Sequence, residues 1–347
     1  MNKITSIGII GGGQLAKMLT EAAKHLPFPT VVGVYDAAAD ACAATACDIF
    51  QQGPFSDAIA IQQFAASFDV VTYEFENISA TSLAGLANLP QGTHALHILQ
   101  NRLREKAFIN ELPGISTVAY APVGNSFSLP YPYVVKTTEL GYDGKGQKII
   151  YSDQDVHQVS EGMIGEQYLD QLTEYSVILA RSITGEISHF PVLKNTHINQ
   201  ILDTSKFAAV SEEMQIRMVE KTTAIAEALD YHGVLTVEFF SSNGALYVNE
   251  VAPRVHNSGH ITLDAANVSQ FDLHVYSLLG IPLPGITVDP SWCMVNVLGQ
   301  HYEAVCRAHI PGKFYDYGKH STRYNRKVGH INGKLEHLAS IKEVRNA

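Results

Sequence analysis

Apolar positions along the chain alternate between short unbroken runs and longer stretches with helical spacing. Ile4 to Ile10 is a continuous run that predicts a buried strand, and Gly11-Gly12-Gly13 predicts a tight turn. Gln14 to Leu26 then sets Leu15, Met18, Leu19, Ala22 and Leu26 on one side of a helix. Thr30 to Tyr35, ending at Asp36, and Asp69 to Tyr73 repeat the strand pattern, with a helix-like Asp57 to Phe68 between them. Strands alternating with helices in this way predict a doubly wound parallel sheet.

The pattern changes after Leu89-Pro90-Gln91-Gly92. Asn101 to Leu112 reads as a helix capped by Asn101 and stopped by Pro113-Gly114, with Arg102 and Lys106 one turn apart. Tyr131 to Thr137 and Lys148 to Tyr151 are strand-like, and the first carries Lys136 near its end. Another strand ends at Gly165-Glu166-Gln167-Tyr168-Leu169, and Glu174 opens the next, Tyr175 to Arg181. Thr184-Gly185-Glu186 reverses the chain into Ile187 to Leu193, which implies antiparallel pairing. Ser211 to Leu229 is a helix with Glu212 and Glu213 in its first turn. Val234 to Phe240 and Ala245 to Val251 flank Ser241-Ser242-Asn243-Gly244, turn chemistry that closes a hairpin. The predicted architecture is a Rossmann-like α/β domain followed by an α+β nucleotide clamp.

Composition narrows the function. With 347 residues, 46% of them apolar, the chain is long enough for two or three domains with buried cores. Its net charge of −10 argues against a protein that coats nucleic acid, and no apolar run is long enough to predict a membrane span or secretory signal. A cytoplasmic protein is expected. Cys42, Cys47, Cys293 and Cys306 form no C-x-x-C pair, which predicts reduced thiols. Charge is uneven: from His301 on, nine Lys and Arg face four Asp and Glu, so this segment carries +5 against −15 for the rest. Such a patch suits a small anion or a solvated face equally.

Four places carry candidate chemistry. Gly11-x-Gly13-x-x-Ala16, with Asp36 beyond it, fits a dinucleotide fingerprint, although any βα turn that meets an anion needs the same glycines. Thr72-Tyr73-Glu74-Phe75-Glu76 ends a strand in two carboxylates on one side, where open α/β sheets bind ligands. The loop Gly141-Tyr142-Asp143-Gly144-Lys145-Gly146-Gln147 joins two strands, unlike a strand-to-helix phosphate loop, and can fold over phosphates as a flap. Glu238 and Glu250 face each other across the hairpin, directly opposite if the connection has an odd number of residues. Like charges there suit a hard divalent cation such as Mg2+, which brings phosphate with it, unless one Glu faces solvent or the pair shares a salt bridge.

A lysine strand, a glycine flap, a Glu-Gln-Tyr-Leu hinge and a two-glutamate hairpin, in that order, resemble the ATP-grasp ligases. GIIGGGQLAKML, TYEFENI, QNRLREKAF, GYDGKGQ, NEVAPRVHNSGH, SQFDLH and NRKVGH, spanning Ile7 to His330, resemble the 5-(carboxyamino)imidazole ribonucleotide synthetases among them. The resemblance implies an ATP-grasp fold: a Rossmann-like domain at 1–98, a two-part α+β ATP clamp at 99–288 divided near 165, and a small β-rich C-terminal domain at 289–347. It also implies a homodimer that uses ATP and Mg2+ to carboxylate 5-aminoimidazole ribonucleotide with bicarbonate. Carboxyphosphate, ADP and phosphate would be formed on the way to purines.

Residue by residue, the resemblance assigns ATP phosphates to Arg102, Lys136 and the flap, Gly141, Tyr142, Asp143, Gly144, Lys145, Gly146 and Gln147. It assigns adenine to Glu166, Gln167, Tyr168 and Leu169, the ribose to Glu174, and a nearby nucleotide contact to His197. Glu238, Asn249 and Glu250 would hold magnesium, with Asn249 and Glu250 also lining the ATP site. Glu74, Tyr142, Lys145 and Asn257 would surround the reacting amine and bicarbonate, and Lys319, Arg326 and Lys327 would grip the 5′-phosphate. Arg254 joins Tyr142 and Lys145 as catalytic, while Asp143 either handles a proton or orients Lys145. The sequence departs from the family at Ala16-Lys17 for Gly-Arg, Asn101 for Asp, Lys194 for an acidic residue, Gln200 for Gly, and Tyr324-Asn325 for Pro-Gly. Two other readings are a formate-dependent ligase acting on glycinamide ribonucleotide and a Rossmann nucleotide-binding protein, which has no need for Glu238 and Glu250 together.

Overall fold

A computed structural model describes residues 6–124, 129–139, 141 and 146–346. The chain begins with β1 (Ser6–Ile10), α1 (Gln14–Lys24), β2 (Val31–Asp36), β3 (Ile49–Gln52), α2 (Ala58–Ala65), β4 (Val70–Tyr73) and α3 (His94–Leu99). The strands run parallel in the order β3-β2-β1-β4, the sheet expected from the alternation, with β3 as an addition. Both faces of this sheet are covered, which is why its strands read as continuous apolar runs. Ile7 and Ile9 pack with Leu15, Met18 and Leu19 of α1, whereas Ile10, Val71 and Tyr73 pack with Ile61 and Phe64 of α2. Gly11 has φ of +100°, and a Cβ there would lie 2.5 Å from Cγ of Glu74, so the turn after β1 requires glycine.

The next helix, α4 (Arg102–Glu111), starts where its cap predicts: Asn101 Oδ1 accepts from the Leu103 and Arg104 amides at 3.0 and 3.2 Å. It is followed by β5 (Tyr120–Pro122), β6 (Tyr133–Thr137), β7 (Gln147–Ile150) and β8 (Met163–Gln167), an antiparallel sheet in the order β5-β8-β6-β7. The glycine-rich segment connects β6 to β7. Its residues Tyr142, Asp143, Gly144 and Lys145 lie outside the described residues.

A larger antiparallel sheet takes up the remainder. Its members are β9 (Thr173–Arg181), β10 (Ile187–His189), β11 (Leu193–Ile198), β12 (Ile201–Phe207), β13 (Gly233–Ser242), β14 (Ala245–Ala252), β15 (Trp292–Leu298), β16 (Lys313–Asp316) and β17 (Lys327–Lys334). The order is β14-β13-β9-β11-β12-β15-β17-β16, with β10 beside β9. The C-terminal strands therefore extend the clamp's own sheet. Around it lie α5 (Glu212–Ala228), α6 (Thr262–Ala265), α7 (Gln270–Leu279), α8 (Tyr302–Arg307) and α9 (Leu338–Asn346). Phe271, Val275 and Leu278 of α7 share one core with α1, which seats the N-terminal domain on the clamp. α9 is held to β12 by Asp203, which takes Arg345 at 2.5 Å and Lys342 at 2.6 Å.

The hairpin that carries the paired glutamates differs in detail from the expected four-residue turn. β13 and β14 pair through Ser241 and Ser242, and only Asn243 and Gly244 turn, both at positive φ, 49° and 80°. This is the primed two-residue turn that matches strand twist. An even connection alone would pair Glu238 with Asn249. Instead Asn249 is an extra residue in β14, and the bulge brings Glu250 directly opposite Glu238. Among the described residues no helix is long and apolar enough to cross a membrane. All four cysteines are free thiols.

Candidate active site

The bulged hairpin presents its carboxylates at the junction of the domains. Asn249 donates to Glu238 Oε2 at 3.3 Å, and Arg102 stands 3.6 Å from Glu250 Oε2. His256 Nε2 is 3.5 Å from the other oxygen of Glu238. Burial pushes the Glu238 carboxyl up to about 7; His197 pulls it back, while Glu250 and Glu174 add to the rise. Among the described residues no group of three or more His, Cys, Asp or Glu is arranged to hold a metal. Two facing carboxylates that need phosphate oxygens to finish the shell fit Mg2+, which is bound by one or two carboxylates plus substrate phosphates.

Across from this pair lie the cations of the smaller lobe. Lys136, near the end of β6, contacts Glu166 Oε2 at 2.8 Å, and Lys106 of α4 stands 3.2 Å from Oε1. Burial would raise the Glu166 carboxyl, but Lys136 and then Lys106 outweigh it and hold it at about 2. The Glu166 side chain is thus engaged on the lysine side. Arg102 donates to the Thr137 carbonyl at 3.1 Å and to that of Gly141 at 3.4 Å, tying α4 to the base of the flap. Thr137 donates its amide to the Gly146 carbonyl at 2.9 Å. Gly146 has φ of +74°, and a Cβ there would meet Thr137 at 2.8 Å. On the neighbouring strands β9 and β11, Glu174 and His197 form a direct ion pair. Burial disfavours the imidazolium, but Glu174 outweighs it and raises the His197 pKa.

The N-terminal domain answers the dinucleotide reading. Asp36 Oδ2 accepts from the Gly12 amide at 2.6 Å, and Glu74 Oε1 accepts from the Gly13 amide at 3.0 Å. The turn's donors are filled by the chain's own carboxylates, so Asp36 is a turn-holding residue and not a ribose ligand. Strand β4 ends at Tyr73, which leaves Glu74 and Glu76 in the loop beyond it, facing different partners. Burial pushes Glu74 up to about 7, against the pull of the Gly13 amide and Arg254. Glu76 receives Arg254 through two contacts, Nη2 to Oε1 at 2.7 Å and Nε to Oε2. A bidentate pair thus locks the clamp to the N-terminal domain.

The basic tail folds back toward the same loop. Lys319 donates to the Lys327 carbonyl at 2.6 Å and lies 5.5 Å from the centre of the Tyr317 ring. Burial pulls the Lys319 ammonium down to about 8, with Cys42 and Glu74 close enough to oppose the fall. Lys17 of α1 donates to the Asp316 carbonyl at 3.0 Å. Arg326 is exposed and donates to the Ser321 carbonyl at 3.2 Å. Where the family pattern has Pro-Gly, Asn325 takes the left-handed conformation itself, φ 61°, and its side chain and amide both bond Gln300. Asn257 is paired side chain to side chain with Asn296, at 2.7 and 3.0 Å. The sequence reading gave no part to Asn296, His256 or Lys17. Of these, Lys17 had a signal, one turn into the helix after the glycine turn, and so did His256, which lies within NEVAPRVHNSGH.

A parallel-sheet domain docked on a two-lobed clamp, with paired carboxylates facing a lysine-bearing strand, defines an ATP-grasp enzyme. The chain matches the ribonucleotide synthetase preATP-grasp domain over residues 4–100, the ATP-grasp domain over 120–271, and the phosphoribosylaminoimidazole carboxylase C-terminal domain over 293–343. The N5-carboxyaminoimidazole ribonucleotide synthase of Staphylococcus aureus strain MRSA252 is 36% identical over 345 residues, covering 94% of this chain and 91% of that relative. That of Bacillus subtilis strain 168 is 38% identical, covering 94% and 90%. The crystal structure of the Staphylococcus aureus N5-carboxyaminoimidazole synthetase complexed with ADP superposes with a TM-score of 0.91 at 35% identity, covering 99% of this chain and 97% of that one. The chain belongs to the N5-carboxyaminoimidazole ribonucleotide synthase family.

Proposed function

We infer that the chain performs its family's reaction with the groups assembled above. It is an ATP-dependent carbon–nitrogen ligase of purine biosynthesis that carboxylates 5-aminoimidazole ribonucleotide with bicarbonate. The observation that carries the site assignment is the bulge at Asn249, which sets Glu238 and Glu250 face to face beside Arg102. Mg2+ held there would neutralise the charge of the phosphates.

Arg102, Lys136 and the flap from Gly141 to Gln147 hold the phosphates of ATP; Gln167, Tyr168, Leu169 and the Glu166 backbone hold adenine; Glu174 and His197 hold the ribose side. Bicarbonate oxygen takes the γ-phosphoryl group, releasing ADP and giving carboxyphosphate. The exocyclic amine then takes the carboxyl group as phosphate leaves. Arg254, fixed by Glu76, and Lys145 neutralise charge around the transferred group with Tyr142 in contact beside them, and Asp143 orients Lys145 or takes the amine proton. Glu74 and Asn257 flank the amine, and Lys319, Arg326 and Lys327 bind the 5′-phosphate. Little covalent participation is required, because positioning, charge neutralisation and exclusion of water from a short-lived intermediate supply the catalysis.

We divide the chain into a substrate domain at 1–98, an ATP clamp at 99–288 with lobes meeting near 165, and a C-terminal domain at 289–347. We propose that the protein works in the cytoplasm as a homodimer, a state that sedimentation would check. ADP release measured with 5-aminoimidazole ribonucleotide, with and without bicarbonate, tests the reaction: both are required for full turnover. Release driven equally well by glycinamide ribonucleotide and formate would sink it. Glu250→Gln tests the metal site, since it should keep the fold yet lose most turnover, and unchanged activity at saturating ATP and Mg2+ removes the assignment.

A further inference from the structure

Helix α4 carries a second lysine beneath the phosphate end of the clamp. Lys106 is 1% exposed, and its ammonium stands 3.2 Å from Glu166 Oε1, while Lys136 holds Oε2 at 2.8 Å. One carboxylate therefore serves two ammonium groups. The three differ in access: the side chains of Lys106 and Glu166 are sealed at 1% and 3%, whereas that of Lys136 keeps 12% of its surface open. The neighbouring Glu105 accepts the Val251 amide at 2.6 Å and lies near enough to favour the Lys106 ammonium as well.

We propose that Lys106 is a positioning residue for ATP, which offsets the charge of Glu166 so that Lys136 keeps a positive charge to present to phosphate. Two ammonium groups against one carboxylate sum to +1, and the accessible member of the trio is the one that can express it. Without Lys106 the remaining pair sums to zero, and Lys136 is drawn back onto a carboxylate that no longer has a second partner. In a buried setting such pairings are strong enough to compete with a ligand. Packing alone gives no reason for an ammonium at this position, because an apolar side chain fills the same space without the cost of desolvating a charge.

The inference rests on the assignment of Lys136 to the phosphates, so its test separates the two. KM values for ATP and for 5-aminoimidazole ribonucleotide are measured for Lys106→Met, for Lys106→Met with Glu166→Gln, and for Lys136→Met. Lys106→Met is expected to raise the KM for ATP about tenfold while that for the ribonucleotide stays within about twofold, the usual worth of one charge-assisted contact. Adding Glu166→Gln restores most of the loss, since Lys136 again stands with a net charge of +1. That rescue is what a merely structural lysine cannot show. A folded Lys106→Met with unchanged KM for ATP, or a double variant no better than the single one, overturns the proposal. If Lys106→Met alone fails to fold, the double variant decides: a KM for ATP within about threefold of the parent supports the proposal, and a tenfold rise overturns it. Lys136→Met with unchanged KM for ATP removes Lys136 from the phosphates and this inference with it. A raised KM there, with none from Lys106→Met, overturns this inference alone.

Discussion

Glu238 occupies an unusual position for a carboxylate, half-buried and directly opposite another acid, and this makes its protonation a handle on the site. Its pKa in the folded chain is raised by burial to about 7, above the ordinary value of 4.5 that it would have unfolded. The folded state therefore binds the proton more tightly, and the group's contribution to stability is full below about 4.5 and lost as pH rises through about 7. Glu238→Gln carries a neutral group at every pH. The melting temperature of this variant, relative to the parent without nucleotide, is accordingly expected to rise between pH 5 and pH 8. A flat difference across that range would show that Glu238 is not desolvated. His274 and His330, which burial holds down to about 3, act in the opposite sense and destabilise both proteins equally as pH falls below about 6.5. They cancel from the difference.

Local elements were legible where a short stretch determines its own shape. The cap at Asn101 and the antiparallel hairpin of β13 and β14 follow from residues within a few positions of one another. The Asn249 bulge did not, because Asn249 looks like any strand residue until the pairing is laid out. β12 was missed as well, since Leu202-Asp203-Thr204-Ser205 lacks an apolar alternation; Asp203 is buried only because Lys342 and Arg345 reach it from 139 and 142 residues away. The turn between β11 and β12 holds another element-scale test. Asn199 and Gln200 both have positive φ, 50° and 67°, and Gln200 stands where the family pattern has glycine. Left-handed backbone costs a non-glycine residue about 1–2 kcal/mol. Gln200→Gly is expected to raise stability by about 0.5–1 kcal/mol after glycine's own entropy is offset, read from the urea midpoint with an unchanged slope. A lower midpoint would place a side-chain contact of Gln200 above its backbone strain.

At the scale of the whole molecule, the site is assembled from parts far apart in sequence. Arg254 and Glu76 are 178 residues apart, and the basic tail meets helix α1 through Lys17 and Asp316, separated by 299. Motif order made these parts recognisable, but only the seating of α1 on α7 explains why they converge. The tail also supplies the test of substrate charge. Arg326 is exposed, on a loop whose left-handed Asn325 preserves its turn. Arg326→Ala is expected to weaken 5-aminoimidazole ribonucleotide by about 1.5–3 kcal/mol, the worth of a hydrogen bond to a charged group, while the KM for ATP stays fixed. Parent and variant should differ far less on the dephosphorylated riboside. Equal losses on nucleotide and riboside would take Arg326 away from the phosphate.

The continuity of the large sheet has a consequence for how the chain is born. β12 ends at Phe207, but its neighbour β15 begins only at Trp292, and the helix that neutralises Asp203 begins at Leu338. During synthesis the growing polypeptide holds a finished hairpin beside an open strand edge for some time after β12 has left the ribosome. Such an edge is a template for pairing with other chains. A chain terminated at residue 288 is therefore expected to collect in the insoluble fraction unless a holding chaperone is supplied, and its recovery as a soluble monomer would show that the edge is protected in another way.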